Sequence, residues 1–332
     1  MRQALVWLAL AVTPALAQDD PAARPSIIAP LASRSLLIDL APAGDRVFAV
    51  GERGHVLYST DYGESWTQVQ VPGSATLTAV YFTDARHGWA VGHAEMILRT
   101  VDGGEHWELA HFVPENPQPL LDVWFADALH GLAVGAYGIV YGTIDGGRVW
   151  NQLPFEPRSL PGAGAVEAED EVDLGYEFHL NAIARGPGRR LYLGAEAGRL
   201  FRSDDDGASW RALPSPYDGS FHGILPLDGD ALLAFGLRGN LYRSEDGGIS
   251  WTAIPTGTGA LLGAGARIDE DTVVIVGTAG VLLTSRDGGR SFTLTQQDDR
   301  KGLSAVLPSG DGSLIVAGEN GVRRLPLPGA AP

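Results

Sequence analysis

The 332-residue sequence contains no cysteine. Neither a disulfide framework nor a thiolate metal site is therefore available, and a lipid anchor attached through a cysteine is excluded. Basic residues are also scarce: 24 Lys and Arg stand against 40 Asp and Glu, for a formal net charge of −16. Because nucleic-acid backbones and anionic membrane surfaces attract basic patches, this balance argues against both as partners.

Several signatures of catalysis are missing as well. The sequence has no nucleophile elbow, no His-Glu-x-x-His zinc motif and no phosphate-binding loop. No stretch shows helical periodicity; short apolar and β-branched runs instead alternate with Gly and Asp, which is typical of strands and turns. These absences predict an all-β chain without a catalytic site, a metal or a cofactor.

The first 17 residues have the composition of a secretory signal peptide. Arg2 precedes an apolar run over 4–12, and the small residues Ala15 and Ala17 fit cleavage before Gln18. The run is too short to span a bilayer, which disfavours a membrane anchor. We therefore expect 18–25 to be a flexible lead-in, and the mature chain to be periplasmic without direct membrane insertion.

One eight-residue frame, Ser/Thr-x-Asp-x-Gly-x-x-Trp, recurs along the chain, with Phe for Trp in its sixth copy. An Asp side chain can accept hydrogen bonds from backbone N–H groups just downstream, Gly allows a tight turn, and Trp offers an apolar plate for packing. The frame is similar to the Asp-box of BNR-type β-propeller repeats. Its Asp and aromatic residues are Asp61 and Trp66, Asp102 and Trp107, Asp145 and Trp150, Asp205 and Trp210, Asp246 and Trp251, and Asp287 and Phe292.

The spacing of these aromatics predicts the architecture. Most of the gaps between them are 41 or 43 residues, which suits a four-stranded propeller blade. Seven first strands can be counted against six boxes. We predict one seven-bladed β-propeller of four-stranded antiparallel blades over 26–326, followed by a tail over 327–332. The missing outer strand of the last blade is predicted to come from the N-terminus near 27–29 and to close the ring.

A longer gap places an insertion over 154–178, between the third and fourth blades. Blade topology puts it on the same rim as the turns between second and third strands, opposite the Asp-boxes. We predict that a partner binds this rim through Arg53, Tyr137 and Arg238 and through an acidic run. Alternatively, the run is only a solvated loop. Its residues are Glu167, Glu169, Asp170, Glu171 and Asp173.

Histidines and arginines at repeated positions favour structural roles. His87 and His130 occupy the same slot in two repeats, which indicates turn residues rather than a metal pair. His222, near the central channel, and His93, on the rim, could bind a ligand, although a structural role is favoured. Three arginines precede the boxes, where an ion pair with the next blade is favoured over a cluster that recognises carboxylates; they are Arg99, Arg202 and Arg243.

The repeats are more specific than a bare Asp-box. VYFTDARHGWAVGHAEMILRTVDGGEHW (80–107) and VWFADALHGLAVGAYGIVYGTIDGGRVW (123–150) couple Phe-x-Asp-x-x-x-Gly, Ala-Val-Gly and Thr-x-Asp-Gly-Gly-x-x-Trp in order. Over 36–325 the chain resembles the photosystem II stability/assembly factor family. That resemblance implies a seven-bladed, non-enzymatic propeller that binds newly made membrane-protein subunits during complex assembly.

The expected function is therefore an interaction scaffold. The expected partner is a subunit of a membrane protein complex or another envelope protein, and the chain is expected to be a monomer. The alternatives are a sialidase-like glycoside hydrolase and a carbohydrate-binding propeller. Sialidases carry Asp-boxes, but no Phe-Arg-Ile-Pro motif precedes the first box, and neither Tyr62 nor Tyr217 is followed by a recognisable acidic partner for a tyrosine nucleophile.

Overall fold

The computed structural model describes residues 21–158 and 178–329. These residues form 27 strands and seven short 3-10 helices, with no α-helix in the described ranges. The predicted signal peptide and the acidic run of the insertion lie outside the described residues. None of the described helices is long and apolar enough to cross a membrane.

The strands form seven antiparallel sheets, each built from consecutive strands of the chain. The first, innermost strands are Leu37–Ala43, Leu77–Phe82, Leu120–Phe125, Leu180–Arg185, Phe221–Pro226, Leu262–Arg267 and Leu303–Pro308. The second strands are Arg46–Gly51, Gly88–Gly92, Gly131–Gly135, Leu191–Ala195, Leu232–Gly236, Val273–Gly277 and Ser313–Gly318. The third strands are Val56–Ser59, Ile97–Thr100, Val140–Thr143, Leu200–Ser203, Leu241–Ser244, Val281–Ser285 and Gly321–Pro326.

Six sheets add a short fourth, outer strand, which begins one residue after the box aromatic. The outer strands are Thr67–Val69, Glu108–His111, Asn151–Gln152, Arg211–Ala212, Thr252–Ala253 and Thr293–Gln296. The 3-10 helices are Pro21–Ala23, Ala32–Arg34, Glu52–Gly54, His93–Glu95, Ala136–Gly138, Leu237–Gly239 and Thr278–Gly280. The all-β, seven-bladed prediction is confirmed, and each sheet is one blade.

The core lies between the blades rather than at the centre of the ring. Five of the second strands are buried along their whole length, for example Gly88–Gly92 and Val273–Gly277. Both faces of such a strand are covered, because a neighbouring blade packs on each side, and its run of apolar residues follows from that burial. The first blade packs against the last: Leu37 and Ala49 share a cluster with Ile315 and Ala317.

The predicted closure of the ring by an N-terminal strand is wrong. The last sheet has three strands, and 24–31 contains no strand. The N-terminal segment instead lies along the outer strand of blade 1: Ser26 N–H donates to the Val71 carbonyl (2.9 Å), and the Gln68 side chain bonds Ala29 N–H (2.7 Å). Packing of blade 1 against blade 7 closes the ring without a shared strand.

Candidate functional site

Each Asp-box is a turn held by two side chains. In the second box, Thr100 Oγ1 donates to Asp102 Oδ1 (2.9 Å) and accepts from Gly104 N–H (3.0 Å). Asp102 Oδ1 also accepts from the N–H of His106 (3.0 Å). The other five boxes repeat these three bonds. The box residues are therefore used in turn closure.

The box aromatics pack between blades to different depths. Trp107, Trp150 and Trp210 are buried, whereas the aromatics of the first, fifth and sixth boxes are half-buried. Trp107 meets Phe48 of blade 1 edge-on at 6.2 Å and Phe82 of its own blade at 6.0 Å. This arrangement gives aromatic pairs their favourable geometry across the interface.

The arginines that precede the boxes bridge neighbouring blades. Arg99 Nε donates to the carbonyl of Gly146 (2.6 Å), and Arg243 Nη1 donates to the carbonyl of Gly288 (2.6 Å). Arg202 reaches the equivalent carbonyl of Gly247 at 3.5 Å. The predicted ion pair with the next blade is therefore not found among the described residues for these three arginines. Each bonds a carbonyl of the next blade, and the carboxylate that it pairs with belongs to its own blade. These arginines lie on the Asp-box side and do not form a cluster.

The turns between second and third strands share a left-handed residue. Arg53 (φ 58°), Tyr137 (φ 54°) and Arg238 (φ 59°) occupy the middle of such turns, a conformation that costs a non-glycine residue free energy. All three are exposed. They lie on one rim but on alternate blades, and no hydrogen bond or ring contact joins them among the described residues. The Tyr137 ring meets the His179 ring edge-on at 5.1 Å.

The same rim surrounds the mouth of the central channel, where a cavity of about 470 Å³ is lined by the beginnings of all seven inner strands. Its titratable residues are Asp39, Asp122, His179, Glu196 and His222. No Lys or Arg is found among the described residues that line it. The mouth therefore presents carboxylates and imidazoles to whatever enters it.

The two aspartates link neighbouring inner strands. Asp39 Oδ2 accepts from Val80 N–H of the next blade (2.9 Å), and Asp122 Oδ2 accepts from Ile183 N–H (2.8 Å). Burial raises the pKa of Asp39 to about 6, although the Val80 bond opposes the rise. Burial, and then the charge of Asp39, raises the pKa of Asp122 to about 7. Both carboxyls can therefore exchange a proton near neutral pH.

The remaining polar residues of the mouth form a group on blades 4 and 5. Glu196 accepts from His179 N–H (3.0 Å) and lies 3.6 Å from His179 Nδ1. Burial lowers the pKa of His222, an effect that nearby Glu196 opposes. His222 lines the cavity at the channel mouth, as predicted. Asn181 and Thr78, at the same strand position, each donate to a carbonyl of the next blade.

The prediction from sequence did not identify Asp39, Asp122, His179 or Glu196. A signal existed, because the third residue of the inner strand is Asp in blades 1 and 3 and is Ala or Gly in the other five. A polar residue that breaks a column of small residues indicates a position with a different task.

No group of three or more His, Asp or Glu residues within 21–158 and 178–329 is arranged to hold a metal ion. His87 and His130 each bond an aspartate three residues earlier in their own turn, Asp84 (2.8 Å) and Asp127 (3.0 Å). They therefore close equivalent turns and do not meet each other. His93 is exposed at the start of its turn on the rim.

The family model described as photosynthesis system II assembly factor YCF48 matches residues 58–165 and 113–266, which together cover more than half of the chain. The photosystem II assembly protein Ycf48 of Thermosynechococcus vestitus is 36% identical over 148 residues. That match covers 45% of this chain and 38% of the relative, so the chain spans well under two thirds of the relative's length.

Two solved structures share the fold. A structure described as YCF48 bound to D1 peptide superposes with a TM-score of 0.67 at 18% identity, covering 91% of this chain and 95% of that one. The GH74 xyloglucanase of Xanthomonas campestris superposes with a TM-score of 0.61, also at 18% identity, covering 84% of this chain and 50% of that one. At this identity both similarities establish the propeller fold alone.

Proposed function

Because this chain belongs to the photosystem II assembly factor YCF48 family, we propose that it is an exported, non-catalytic, monomeric binding protein that helps to assemble or stabilise a membrane protein complex. It holds an exported segment of one subunit over the mouth of the central channel. The observation that carries this proposal is the 470 Å³ cavity at that mouth, which all seven blades line. Concave sites with a few convergent polar groups are the usual places for ligand binding.

The rim around the mouth supplies the proposed anchors. Tyr137 is 49% exposed, and Arg53 and Arg238 are exposed on the same rim. Tyr and Arg are enriched among residues that dominate binding free energy. From the sequence we expect the acidic run over 167–173 to contribute on the same rim, by speeding association rather than holding the complex, so its effect should fade as salt rises.

The first partner to test is the D1 protein, because a family relative has been solved with a D1 peptide. Fluorescence anisotropy with labelled peptides that tile the exported loops and tails of D1 measures binding directly. We expect at least one peptide to bind, and Tyr137→Ala to weaken it by about fivefold or more.

Tyr62 provides the matched control. It is a second exposed tyrosine (65%) with a left-handed backbone (φ 57°), but it lies in an Asp-box on the opposite rim. Tyr62→Ala should leave the affinity unchanged. Equal losses in the two variants, or a loss only in Tyr62→Ala, would show that the partner binds another surface.

A glycoside hydrolase is the second candidate, and the aspartate pair favours it. A carboxylic acid with a pKa near 6 or 7 in a cleft has the properties of a general acid. However, Asp122 already accepts two backbone N–H bonds, from Val123 (2.8 Å) and Ile183 (2.8 Å), and Asp39 accepts one from Val80. One oxygen of each aspartate links neighbouring blades, so the binding protein is better supported. Release of reducing sugar from a xyloglucan or sialoside panel, abolished by Asp122→Asn, would favour the enzyme.

A further inference from the structure

We propose a second binding site on the opposite rim: the groove between blades 3 and 4 accepts an arginine side chain of a partner peptide. A cavity of about 530 Å³ lies there, lined by Trp124, Leu132, Gly142, Leu153 and Asp206 among others. This site lies on the Asp-box side and not at the channel mouth. Binding at this groove can therefore be tested independently of partner binding at the channel mouth.

The repeat itself indicates what fits this groove. At each of the six remaining blade interfaces, an arginine of the preceding blade reaches the following blade. Four of these arginines donate to the carbonyl of the fourth residue of the next Asp-box, and the other two reach Pro328 and Glu64. The six are Arg46, Arg99, Arg202, Arg243, Arg286 and Arg324. The described residues of blade 3 supply no such arginine to blade 4.

Strand register identifies the vacancy. Trp89 pairs with Arg99, Tyr192 with Arg202 and Leu233 with Arg243, whereas Leu132 pairs with Gly142 at the same place in blade 3. Glycine removes the side chain that bridges the equivalent grooves. A cavity is found at this position, and Gly142 is one of its walls.

The carbonyl that accepts from an arginine at four other interfaces has no such donor between blades 3 and 4 within the described part of the chain. The fourth residue of the blade 4 box is Asp206, and none of the described residues donates to its main-chain carbonyl. Its carboxylate is paired with Arg189 Nε (2.6 Å); Arg189, of blade 4 itself, also lines the cavity and donates to the Asp205 carbonyl (3.4 Å), which leaves the Asp206 carbonyl free. Leu132 and Leu153 provide apolar walls for the methylene stem of an arginine.

A residue that lines the groove also has an unpartnered donor. Trp124 is buried (3% exposed), and its indole N–H has no acceptor among the described residues. A guanidinium cannot accept a hydrogen bond, but the main-chain carbonyl of a peptide beside an inserted arginine can. The occupant that satisfies both groups is therefore an arginine within a peptide and not a free cation. The net charge of −16 favours the approach of such a segment.

The test uses a capped Gly-Arg-Gly peptide and a matched peptide with citrulline, which keeps the shape but not the charge. Binding is followed through the indole N–H resonance of Trp124, assigned with Trp124→Phe. We expect saturable perturbation by the arginine peptide and an affinity at least about fivefold weaker for the citrulline peptide. Equal affinities, or no perturbation at millimolar concentration, would overturn the proposal.

Gly142→Arg should fill the groove from within and weaken peptide binding by about tenfold or more. A Cβ at position 142 comes within 2.6 Å of the half-exposed Leu153 side chain, which can move aside. Gly259→Arg is the control, because a Cβ there has nothing within 4 Å. If Gly142→Arg does not fold, Gly142→Met tests the same blockage without a charge. Undiminished binding in the folded blocking variant would contradict the assignment.

Discussion

At the scale of single residues, the Asp-box shows how one short frame produces a repeated turn. The hydroxyl of its first residue contacts both the Asp carboxylate and the Gly N–H, so three side-chain and backbone groups are satisfied within five residues. The Gly is required by backbone and by space: Gly147 has φ 80°, and an added Cβ would lie 2.5 Å from Trp89 Nε1. Such a turn can be predicted from the sequence, because each position of the frame requires a particular residue type.

Trp107→Ala should lower the free energy of unfolding by about 3–5 kcal/mol, since the ring is buried between two phenylalanines of adjacent blades. Trp251→Ala should cost less than Trp107→Ala, because Trp251 is only half-buried. Urea denaturation of both variants checks the order. Equal losses would mean that burial between blades does not determine the cost.

Asp102→Ala should cost on the order of 1–3 kcal/mol, because it leaves the N–H of His106 and the hydroxyl of Thr100 without their acceptor. Asp102→Asn keeps one acceptor oxygen and should lose less. Thermal and chemical denaturation of the pair provide the measurement, and a neutral Asp102→Ala would contradict the role of the box in turn closure.

At the scale of elements, the inner strands are linked by side chains as well as by packing. Asp39 and Asp122 bond the backbone of the next blade's inner strand, and Thr78, Asn181 and Ser304 donate to carbonyls there. The links replace main-chain pairing, which is absent between adjacent inner strands of different sheets.

The aspartate links predict a stability that depends on pH. The pKa of Asp39 and Asp122 is raised in the folded state to about 6 and about 7, above the unfolded value near 4. Their contribution is fully present below pH 4 and is lost as pH rises through 6–7. The free energy of unfolding should therefore fall by roughly 1–3 kcal/mol between pH 4.5 and 7.5. Asp122→Asn should flatten this decline in urea titrations.

The Asp-box carboxylates titrate in a lower pH range, so they do not contribute to the predicted decline between pH 4.5 and 7.5. Hydrogen bonds from the Ser65 hydroxyl, and then from its N–H and Ser59, lower the pKa of Asp61 to about 2. A lowered pKa contributes stability above pH 4 that is lost as pH falls through 2. A decline between pH 4.5 and 7.5 that is unchanged in Asp122→Asn would contradict the assignment to the inner strands.

The N-terminal segment gives a further prediction. Removal of 18–31 should lower the free energy of unfolding by about 1–3 kcal/mol, since it frees Val71 N–H and two glutamine side chains on blade 1. Gln68→Ala should reproduce part of this loss. Tryptophan fluorescence during thermal unfolding gives the measurement. An unchanged midpoint in the truncated chain would show that the segment does not stabilise blade 1.

The sequence predicts the structure correctly where a feature depends on neighbouring residues, and incorrectly where it depends on how separate blades meet. The apolar runs and Asp-boxes identify seven blades because strands and turns are local. The borrowed strand was inferred from a count, but Pro25 and Pro30 interrupt the segment, and its bonds involve the side chains of Ser26 and Gln68. Asp39 and Asp122 were not predicted, because a polar residue in an inner strand is expected to face solvent unless its contacts with the next blade are known.

At the scale of the whole molecule, the ring separates two tasks. The Asp-box rim holds repeated turns and arginine bridges, and the opposite rim holds the channel mouth and the turns that carry Arg53, Tyr137 and Arg238. The Asp-box rim is regular except between blades 3 and 4, whereas the turns of the opposite rim vary from blade to blade, as expected of a rigid scaffold whose binding surfaces lie where the repeat is broken.

Binding at the channel mouth can be tested by photo-crosslinking in intact envelopes, with a benzoylphenylalanine placed at Tyr137 or, as a control, at Tyr62. We expect the probe at 137 to crosslink to an exported segment of an integral membrane-protein subunit, and the probe at 62 not to give this product. Crosslinks to that subunit from position 62 alone, or to glycan instead of protein from position 137, would contradict it.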